Sequence, residues 1–435
     1  MSRLAPAVGA GGGIGEAQTE GVMDQRSGLG SYAHGAFGVD YEARIDFAAL
    51  REQRLERAHG ALAASPLDAL LLWKDENVRF LSGLRPQIIQ GKSALLNGCL
   101  LAGDGSLVLF CSGGEVDRVR SVMPWVESVE TVPIMEARGL IAGTVAEVIA
   151  PVLERHGLAA AAIGLDELAY AQVEELSRVL PEVELADGDA VMQSVRLIKS
   201  DAELAVMQEA CAIGEAVTES AIAAVEPGVR EYDVVAEAMH TLYRLGGEMA
   251  HLATPFVASG EHMSPPNRFA SDKLIREGDL VFIDIGAMWC GYYSDIGRTV
   301  ICGEPSARQR EIFTAVRHAL AAATDAMRPG NTNDDVAAAV RAEGDRHGLG
   351  ESFLSLFIGH GIGMGANEPP YLGEALPGAE TVELRAGMTM AIEPLIWEPD
   401  VPGGGGVRLE DTIVVADGGG VALTRTGFDE RLLDA

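Results

Sequence analysis

The chain has 435 residues, more than one hydrophobic core usually organises, so two domains are expected. Hydrophobic residues make up 48% of it, and no apolar run approaches the ~20 residues that a membrane-spanning helix needs. The net charge of -31 argues against binding to nucleic acid or to anionic membranes.

The first 40 residues and the cysteines bear on where the protein works. Residues 1–40 are rich in glycine and alanine and lack a periodic pattern, which predicts a disordered tail. They contain no basic region followed by a sustained apolar segment, so we do not expect a secretory signal. The five cysteines are odd in number, scattered and without CxxC spacing, which is typical of free thiols in a reducing cytoplasm.

Residues 41–192 alternate between short apolar runs and helical stretches. Apolar residues between Asp46 and Leu62 recur at the spacing of one helical face, which predicts an amphipathic helix. The predicted strands are Ala69–Trp73, Gly98–Ala102, Leu107–Cys111, Val129–Pro133 and Ala162–Leu165, and the further helices are Gly143–His156 and Leu168–Val179. This alternation predicts an N-terminal α/β domain that ends near Asp189.

Residues 193–435 begin with helices. Ser200 and Glu203 have the spacing of a capping box, which predicts the start of a helix that runs to about Ala224. The further predicted helices are Glu231–Leu245, Ala307–Met327 and Asn333–His347, and the predicted strands are Pro255–Ser259, Asp279–Ala287, Tyr292–Ile301, Thr389–Pro394, Arg408–Ala416 and Ala422–Thr426. These elements predict an α+β domain.

Asp284 and Asp295 are candidate metal ligands. Asp284 ends the apolar run LVFID, where a carboxylate is costly unless it is paired or bound to metal. Asp295 follows eleven residues later. A turn around Trp289–Gly291 would join two strands and bring the two acids opposite each other.

Glu393, Glu410 and His360 have similarly distinctive surroundings. Glu393 follows the apolar run MTMAI, and Glu410 ends the segment GVRLE just before another apolar run. His360 lies between two glycines, which let the backbone approach closely and leave the imidazole unobstructed. Taken singly, such an acid is commonly a turn or cap residue. Five ligand-type residues in these settings together favour a site.

Four buried carboxylates cannot all stay ionised together without cations. With one imidazole they suit two divalent metal ions, for which we expect manganese first, with iron, cobalt or zinc as alternatives. Bridging carboxylates would hold such ions about 3.5 Å apart, with a water between them. That water becomes hydroxide near neutral pH and can attack a carbonyl, so these residues predict a two-metal hydrolase.

This arrangement resembles the pita-bread family, which includes methionine aminopeptidase, aminopeptidase P, prolidase and creatinase. The order of ligands matches, as do the phrases GDLVFIDIG from Gly278, SDIGRT from Ser294, GHGIG from Gly359 and GVRLEDT from Gly406. The segment RLIKSDAEL from Arg196 resembles the junction between the family's two domains. The resemblance implies a creatinase-like, ribonuclease-H-like α/β domain at 41–192 and a pita-bread catalytic domain at 193–435.

The resemblance also implies a role for each ligand. Asp284 should chelate one metal ion, and Asp295 and Glu410 should bridge the two ions. His360 and Glu393 should complete the coordination of the second ion, and Glu393 matches the residue assigned as the proton shuttle. The implied activity is hydrolysis of an amide bond in a short peptide, as by an Xaa-Pro aminopeptidase or prolidase. The implied assembly is a homodimer, with the segment 73–93 near the substrate entrance.

Two positions depart from the family's pattern. Its peptidases carry substrate-contacting histidines seventeen residues before the first metal aspartate and seven after the metal histidine, where this chain has Asn267 and Asn367. Asparagine can donate a hydrogen bond at a catalytic site but cannot shuttle protons. His251 and His262 lie near the first of these positions and, with Arg408, are predicted to contact the substrate.

A second resemblance keeps a different activity open. The phrases GGE from Gly246 and LED from Leu409, and the ending TGFDERLL from Thr426, are similar to the dimethylsulfoniopropionate lyases of this fold. Those enzymes also lack the peptidase histidines, but they place their metal-binding acids differently around the first strand. A lyase acting on a small carboxylate is therefore the alternative to the hydrolase. A non-catalytic scaffold would have no need of five retained ligands.

Overall fold

The computed structural model describes residues 45–85, 97–133, 138–263, 269–353, 358–373 and 380–433. The predicted tail at 1–40 lies outside these residues. None of the helices in the described ranges is long and apolar enough to cross a bilayer.

The N-terminal half is built on one mixed sheet. Its strands are β1 (Ala69–Leu72), β2 (Gly98–Ala102), β3 (Leu107–Cys111), β4 (Ser128–Thr131), β5 (Ala162–Leu165) and β6 (Glu184–Asp187). They lie in the order β4-β3-β2-β1-β5-β6, in which β1 pairs antiparallel with β2 and parallel with β5. The five strands predicted here are confirmed within two residues at each end, and β6 was not predicted.

Seven helices flank this sheet in the described chain. They are α1 (Phe47–Ala63), α2 (Asp75–Ser82), α3 (Gly113–Val122), α4 (Arg138–Thr144), α5 (Ala150–Arg155), α6 (Tyr170–Val179) and α7 (Asp189–Leu197). The single helix predicted at Gly143–His156 is divided, because a π-helical turn at Val145–Ile149 separates α4 from α5. The division falls where Pro151 lacks the N–H that an α-helical bond requires.

The helices of the C-terminal half follow the prediction closely. They are α8 (Asp201–Ala223), α9 (Glu231–Arg244), α10 (Ala307–Ala326) and α11 (Asn333–Arg346). The capping box predicted for α8 is confirmed: the Glu203 N–H donates to Ser200 Oγ at 3.3 Å, and the Ser200 N–H donates to Glu203 Oε2 at 2.9 Å.

Short antiparallel strands form the rest of this half. They are β7 (Met249–Ala250), β8 (Phe256–Ser259), β9 (Leu280–Asp284), β10 (Ala287–Trp289), β11 (Tyr292–Tyr293), β12 (Gly297–Ile301), β13 (Gly359–Gly361), β14 (Glu368–Leu372), β15 (Thr389–Ile392), β16 (Leu395–Trp397), β17 (Gly406–Arg408), β18 (Asp411–Ala416) and β19 (Gly419–Ala422). The sheets are β11-β10-β7, β12-β9-β8, β14-β13-β15-β18-β19 and β16-β17.

The last predicted strand, Ala422–Thr426, is wrong in position. The structure has β19 at Gly419–Ala422, where Gly419 pairs with Ala416 of β18. Only two residues separate these partners, so the tight turn starts the strand three residues earlier than predicted. Thr424 lies beyond the end of β19 and contacts β18 through its side chain: its Oγ1 donates a hydrogen bond to Asp411 Oδ1 at 2.8 Å.

A hydrophobic core shared by both halves holds them together. It includes Leu50 of α1, Leu70 of β1, Val206 of α8 and Ile283 of β9, all essentially buried. The Arg79 guanidinium of α2 also donates two hydrogen bonds to Glu248, at 2.7 and 2.8 Å. The N-terminal half is thus joined to the C-terminal half by core packing and by this ion pair. The domain boundary between residues 192 and 193 stays a prediction.

Candidate metal centre

One β-hairpin brings the two candidate aspartates together. Strands β9 and β12 pair antiparallel with Asp284 opposite Gly297, and Asp295 precedes Gly297 by two residues. The chain reverses between β10 and β11 at Cys290 and Gly291, which have φ values of 52° and 83°. Such a two-residue turn matches the right-handed twist of its strands. The turn predicted around Trp289–Gly291 is therefore confirmed, and both aspartates are buried.

Pairing between distant strands adds the other three candidates. His360 lies on β13, which pairs with β15, and Glu393 follows β15 directly. The Glu393 N–H donates to the Ile358 carbonyl at 2.8 Å. Glu410 forms a backbone bridge with Gly297, and a Cβ at Gly297 would lie 2.8 Å from Glu410 Oε2. Only glycine leaves room there for the Glu410 carboxylate.

The imidazole of His360 is held in the form that binds a metal. Its Nδ1 lies 2.9 Å from the Gly361 carbonyl, which can only accept, so Nδ1 carries the proton. The unprotonated Nε2 then lies 3.7 Å from Asp295 Oδ2 and 3.5 Å from Glu393 Oε1. Ligand atoms of Asp295, His360 and Glu410 lie within 4.8 Å of one another. Such a group is compatible with one ion.

Burial and mutual repulsion raise the pKa values of three carboxyl groups in this centre. Burial, opposed by Arg408 and reinforced by Asp284, raises the pKa of Glu393 to about 7. Burial followed by neighbouring carboxylates raises the pKa values of Asp295 and Glu410 well above their usual range. Burial also lowers the pKa of His360 to about 4, so its imidazole is neutral near pH 7. A cation would relieve both the repulsion and the desolvation.

Three buried carboxylate oxygens lack a hydrogen-bond partner in the described chain. They are Asp284 Oδ1, Asp295 Oδ1 and Glu410 Oε2. Buried polar atoms are normally satisfied, so three such atoms in one cluster need an explanation. Bound divalent ions would give these oxygens partners, and a donor set of carboxylates with one neutral imidazole fits such ions.

Arg408 lies inside the centre. Its Nη1 is 3.0 Å from Asp284 Oδ2 and its Nη2 is 3.0 Å from Glu393 Oε2. The guanidinium is buried, and these contacts orient one oxygen of each carboxylate. Its predicted contact with substrate stays a prediction.

His251 also belongs to this cluster, although the sequence identified it only as a candidate substrate contact. It follows β7, and its N–H donates to the Gly286 carbonyl at 3.1 Å. Its Nε2 lies 3.5 Å from both Asp284 Oδ1 and Asp295 Oδ1. Its Nδ1 accepts the Gly286 N–H at 2.6 Å, so in the neutral ring the proton is on Nε2. That form can donate to a carboxylate but cannot ligate a metal through Nε2.

His262 and Asn367 have other surroundings. His262 Nδ1 lies 3.4 Å from Ser271 Oγ and 3.6 Å from Glu231 Oε1, and its side chain is 38% exposed. Asn367 is exposed on the turn before β14. Asn267 falls outside the described residues. The roles predicted for these three residues stay predictions.

Comparisons with known proteins agree with this geometry. The family model described as metallopeptidase family M24 matches residues 205–417, and the creatinase/prolidase N-terminal domain matches residues 54–198. The chain is 32% identical to an Xaa-Pro dipeptidase of Pyrococcus horikoshii over 361 residues, which cover 83% of this chain and 93% of that protein. It is 36% identical to an Xaa-Pro dipeptidase of Pyrococcus furiosus over 259 residues, 60% of this chain and 72% of that protein.

Solved structures show the same similarity. An Xaa-Pro dipeptidase from Bacillus anthracis superimposes with a TM-score of 0.73 at 26% identity, covering 87% of this chain and 99% of that one. These matches confirm the resemblance inferred from the sequence. They also confirm the fold class, in which a creatinase-type α/β domain precedes a pita-bread catalytic domain.

Proposed function

Since this chain belongs to metallopeptidase family M24 and is a metal-dependent hydrolase, we propose that it cleaves the amide bond before proline in short peptides. One observation carries the proposal: five ligand-type side chains from separate segments converge in a buried cluster that leaves carboxylate oxygens unpaired. Both Pyrococcus proteins named above are Xaa-Pro dipeptidases, which supports the substrate class.

The proposed centre holds two divalent ions, with manganese as the first expectation. The ligands would be Asp284, Asp295, His360, Glu393 and Glu410. A set of four carboxylates with one imidazole suits a hard or borderline cation, which supports manganese over a thiophilic metal. When bound, such ions supply Lewis acidity and lower the pKa of water.

The proton transfers fall to Glu393. Its Oε2 is held by Arg408, whereas its Oε1 faces His360 and is the oxygen available for exchange. A carboxylate with one oxygen held and the other available is suited to take a proton from an attacking water and return it to the leaving amine. Arg408 limits the rotation of this carboxylate, so it acts on the reaction by positioning Glu393.

We assign His251 the role of a hydrogen-bond donor. The proton on Nε2 points towards Asp284 and Asp295, and the Gly286 N–H keeps the ring in that form. A neutral donor held there fixes the orientation of the two proposed metal-binding carboxylates.

The test compares two reactions on one protein. Manganese-loaded protein is incubated with Xaa-Pro dipeptides, and the free proline released is measured. The matched control is Glu393→Gln, because glutamine keeps the shape of the side chain but cannot take up or release the proton. A parallel incubation with dimethylsulfoniopropionate is assayed for an alkene product. We expect proline release that needs both the metal and Glu393. Alkene formation without proline release would favour the lyase alternative over the hydrolase.

We also propose a homodimer that works in the cytoplasm. The N-terminal half carries none of the five proposed ligands, which is compatible with the role in dimer assembly that the family resemblance implies. Residues 73–85 of the proposed entrance are described, and 86–93 fall outside the described ranges. All five cysteines are buried free thiols, which suits a reducing compartment. A monomer in light scattering, or recovery of the protein outside the cytoplasmic fraction, would contradict these assignments.

A further inference from the structure

A second cluster of ligand-type side chains lies on the helical hairpin α10–α11, outside the five proposed catalytic ligands. His318 is on α10, Glu343 is in the last turn of α11, and His347 is the residue that caps α11. One atom from each of the three lies within 4.8 Å of the other two. The mechanism uses none of these residues, and the two imidazole rings lie with their centroids 5.0 Å apart.

The three ligand atoms lie close to the spacing of a tetrahedral zinc site. His318 Nδ1 lies 2.9 Å from His347 Nε2, and Glu343 Oε1 lies 3.5 Å from His347 Nε2 and 3.9 Å from His318 Nδ1. Ligands at zinc distances of ~2.0–2.2 Å in a tetrahedron are about 3.3–3.6 Å apart, so the first pair would have to open and the last pair to close by a few tenths of an ångström. Small rotations of the side chains would therefore bring all three onto one ion.

One carboxylate oxygen and the end of a helix face the two rings. Arg346 holds Glu343 Oε2, which leaves Oε1 turned towards the two rings. His347 caps the C-terminal end of α11, where the helix dipole is negative. The side chains of His318 and His347 are 54% and 27% exposed, so each ring can carry its proton on the solvent side and present a lone pair to the metal.

We propose that His318, Glu343 and His347 form a peripheral zinc site, with water as the fourth ligand. Two imidazoles and one carboxylate make a softer set than the carboxylate-rich catalytic centre, so this site should prefer zinc to manganese. The half-exposed His318 leaves the fourth position open to solvent. A bound ion would tie the end of α11 to the middle of α10 and stabilise this hairpin.

The test measures zinc in manganese-loaded protein dialysed against buffered free zinc at about 1 µM. The unmodified chain is compared with His318→Gln/His347→Gln and with His240→Gln, which removes an exposed histidine from α9 as the matched control. All three share the same catalytic centre, so a difference in zinc between them isolates the peripheral site. We expect the unmodified chain and the control to hold one zinc ion more than the double variant, and zinc to bind the double variant's peripheral site at least ~10-fold more weakly.

Further variants distinguish the possible outcomes. Glu343→Gln should also weaken zinc binding, whereas a simple pair of histidines would be unaffected by it. If the double variant does not fold, zinc is measured in the single variant His318→Gln, which should fold because the His318 side chain is half exposed. Manganese content and proline release should be unchanged in every variant. Equal zinc in the unmodified chain and the histidine variants would overturn the proposal and leave only a hydrogen bond between the two rings.

Discussion

Replacing Glu393 with glutamine is expected to stabilise the metal-free protein at alkaline pH. Burial, opposed by Arg408 and reinforced by Asp284, raises the pKa of Glu393 from 4.5 to about 7. Between these values the folded chain holds a proton that the unfolded chain has released. The stability from this proton is fully present below pH 4.5 and is lost as the pH rises through about 7. At about 1.4 kcal/mol per pKa unit, the loss by pH 8 is ~3 kcal/mol.

The assay is urea unfolding of chelator-treated protein at pH 5 and pH 8, followed by tryptophan fluorescence. Glutamine keeps the shape of Glu393 and cannot ionise, so the share of the pH-dependent loss that Glu393 contributes should disappear, while the shares of Asp295 and Glu410 remain. Relative to the unmodified chain, the free energy of unfolding of Glu393→Gln should rise by about 2–3 kcal/mol between pH 5 and pH 8. In metal-loaded protein the order should reverse, because a ligand is missing. A difference between the metal-free proteins that is constant with pH would refute the reasoning.

Glu398 provides a matched control on a neighbouring strand end. Its hydrogen bonds with Arg308 lower its pKa below the usual range of a glutamate. A carboxylate with a lowered pKa stabilises the fold above its unfolded-state pKa, and this contribution is lost only as the pH falls through the lowered value. Glu398→Gln should therefore cost a nearly constant amount of stability between pH 5 and pH 8. A pH-dependent rise like that of Glu393→Gln would mean that any glutamine substitution produces the effect.

Three further outcomes concern the metal centre. Glu410→Ala should remove both divalent ions, because a bridging ligand serves each, and unchanged metal by elemental analysis would exclude Glu410 from the ligands. His251→Phe should keep the metal and lower the rate of proline release ~10²-fold through loss of a donor, whereas a lost ion would identify His251 as a ligand. The unmodified protein should hydrolyse Xaa-Pro peptides weakly. The double variant Asn267→His/Asn367→His should raise the rate of hydrolysis ~10²-fold or more. A fall in that rate would show that these asparagines recognise the native substrate through neutral hydrogen bonds.

Helices and one hairpin were predictable because their signals are local. The spacing of Ser200 and Glu203 specifies the cap of α8, and both of its hydrogen bonds are present in the fold. The Cys290-Gly291 turn between two apolar runs brings Asp284 and Asp295 onto one hairpin. In each case the residues that interact are within a few positions of the turn or cap, so no distant contact is needed to decide the conformation.

Short strands were harder to predict because their pairing partners are remote. β13 and β14 were not predicted: GHG carries no strand periodicity, and β13 becomes a strand only between β14 and β15. The glycines allow this, since a Cβ on Gly359 would lie 2.3 Å from the Ala391 carbonyl oxygen. The register of β19 likewise followed from its tight turn with β18 rather than from the apolar run that suggested a later strand.

The sequence by itself identified the candidate ligands, because a carboxylate in an apolar run is costly unless it is paired or bound to metal. Only the tertiary structure decided that His251 joins the two aspartates, that Arg408 pairs with Asp284 and Glu393, and that two surface histidines meet across a helical hairpin. Each of these contacts joins residues that are 15 to more than 100 positions apart in the chain. Their energy comes from the packing of whole sheets and helices, which no local pattern of residues encodes.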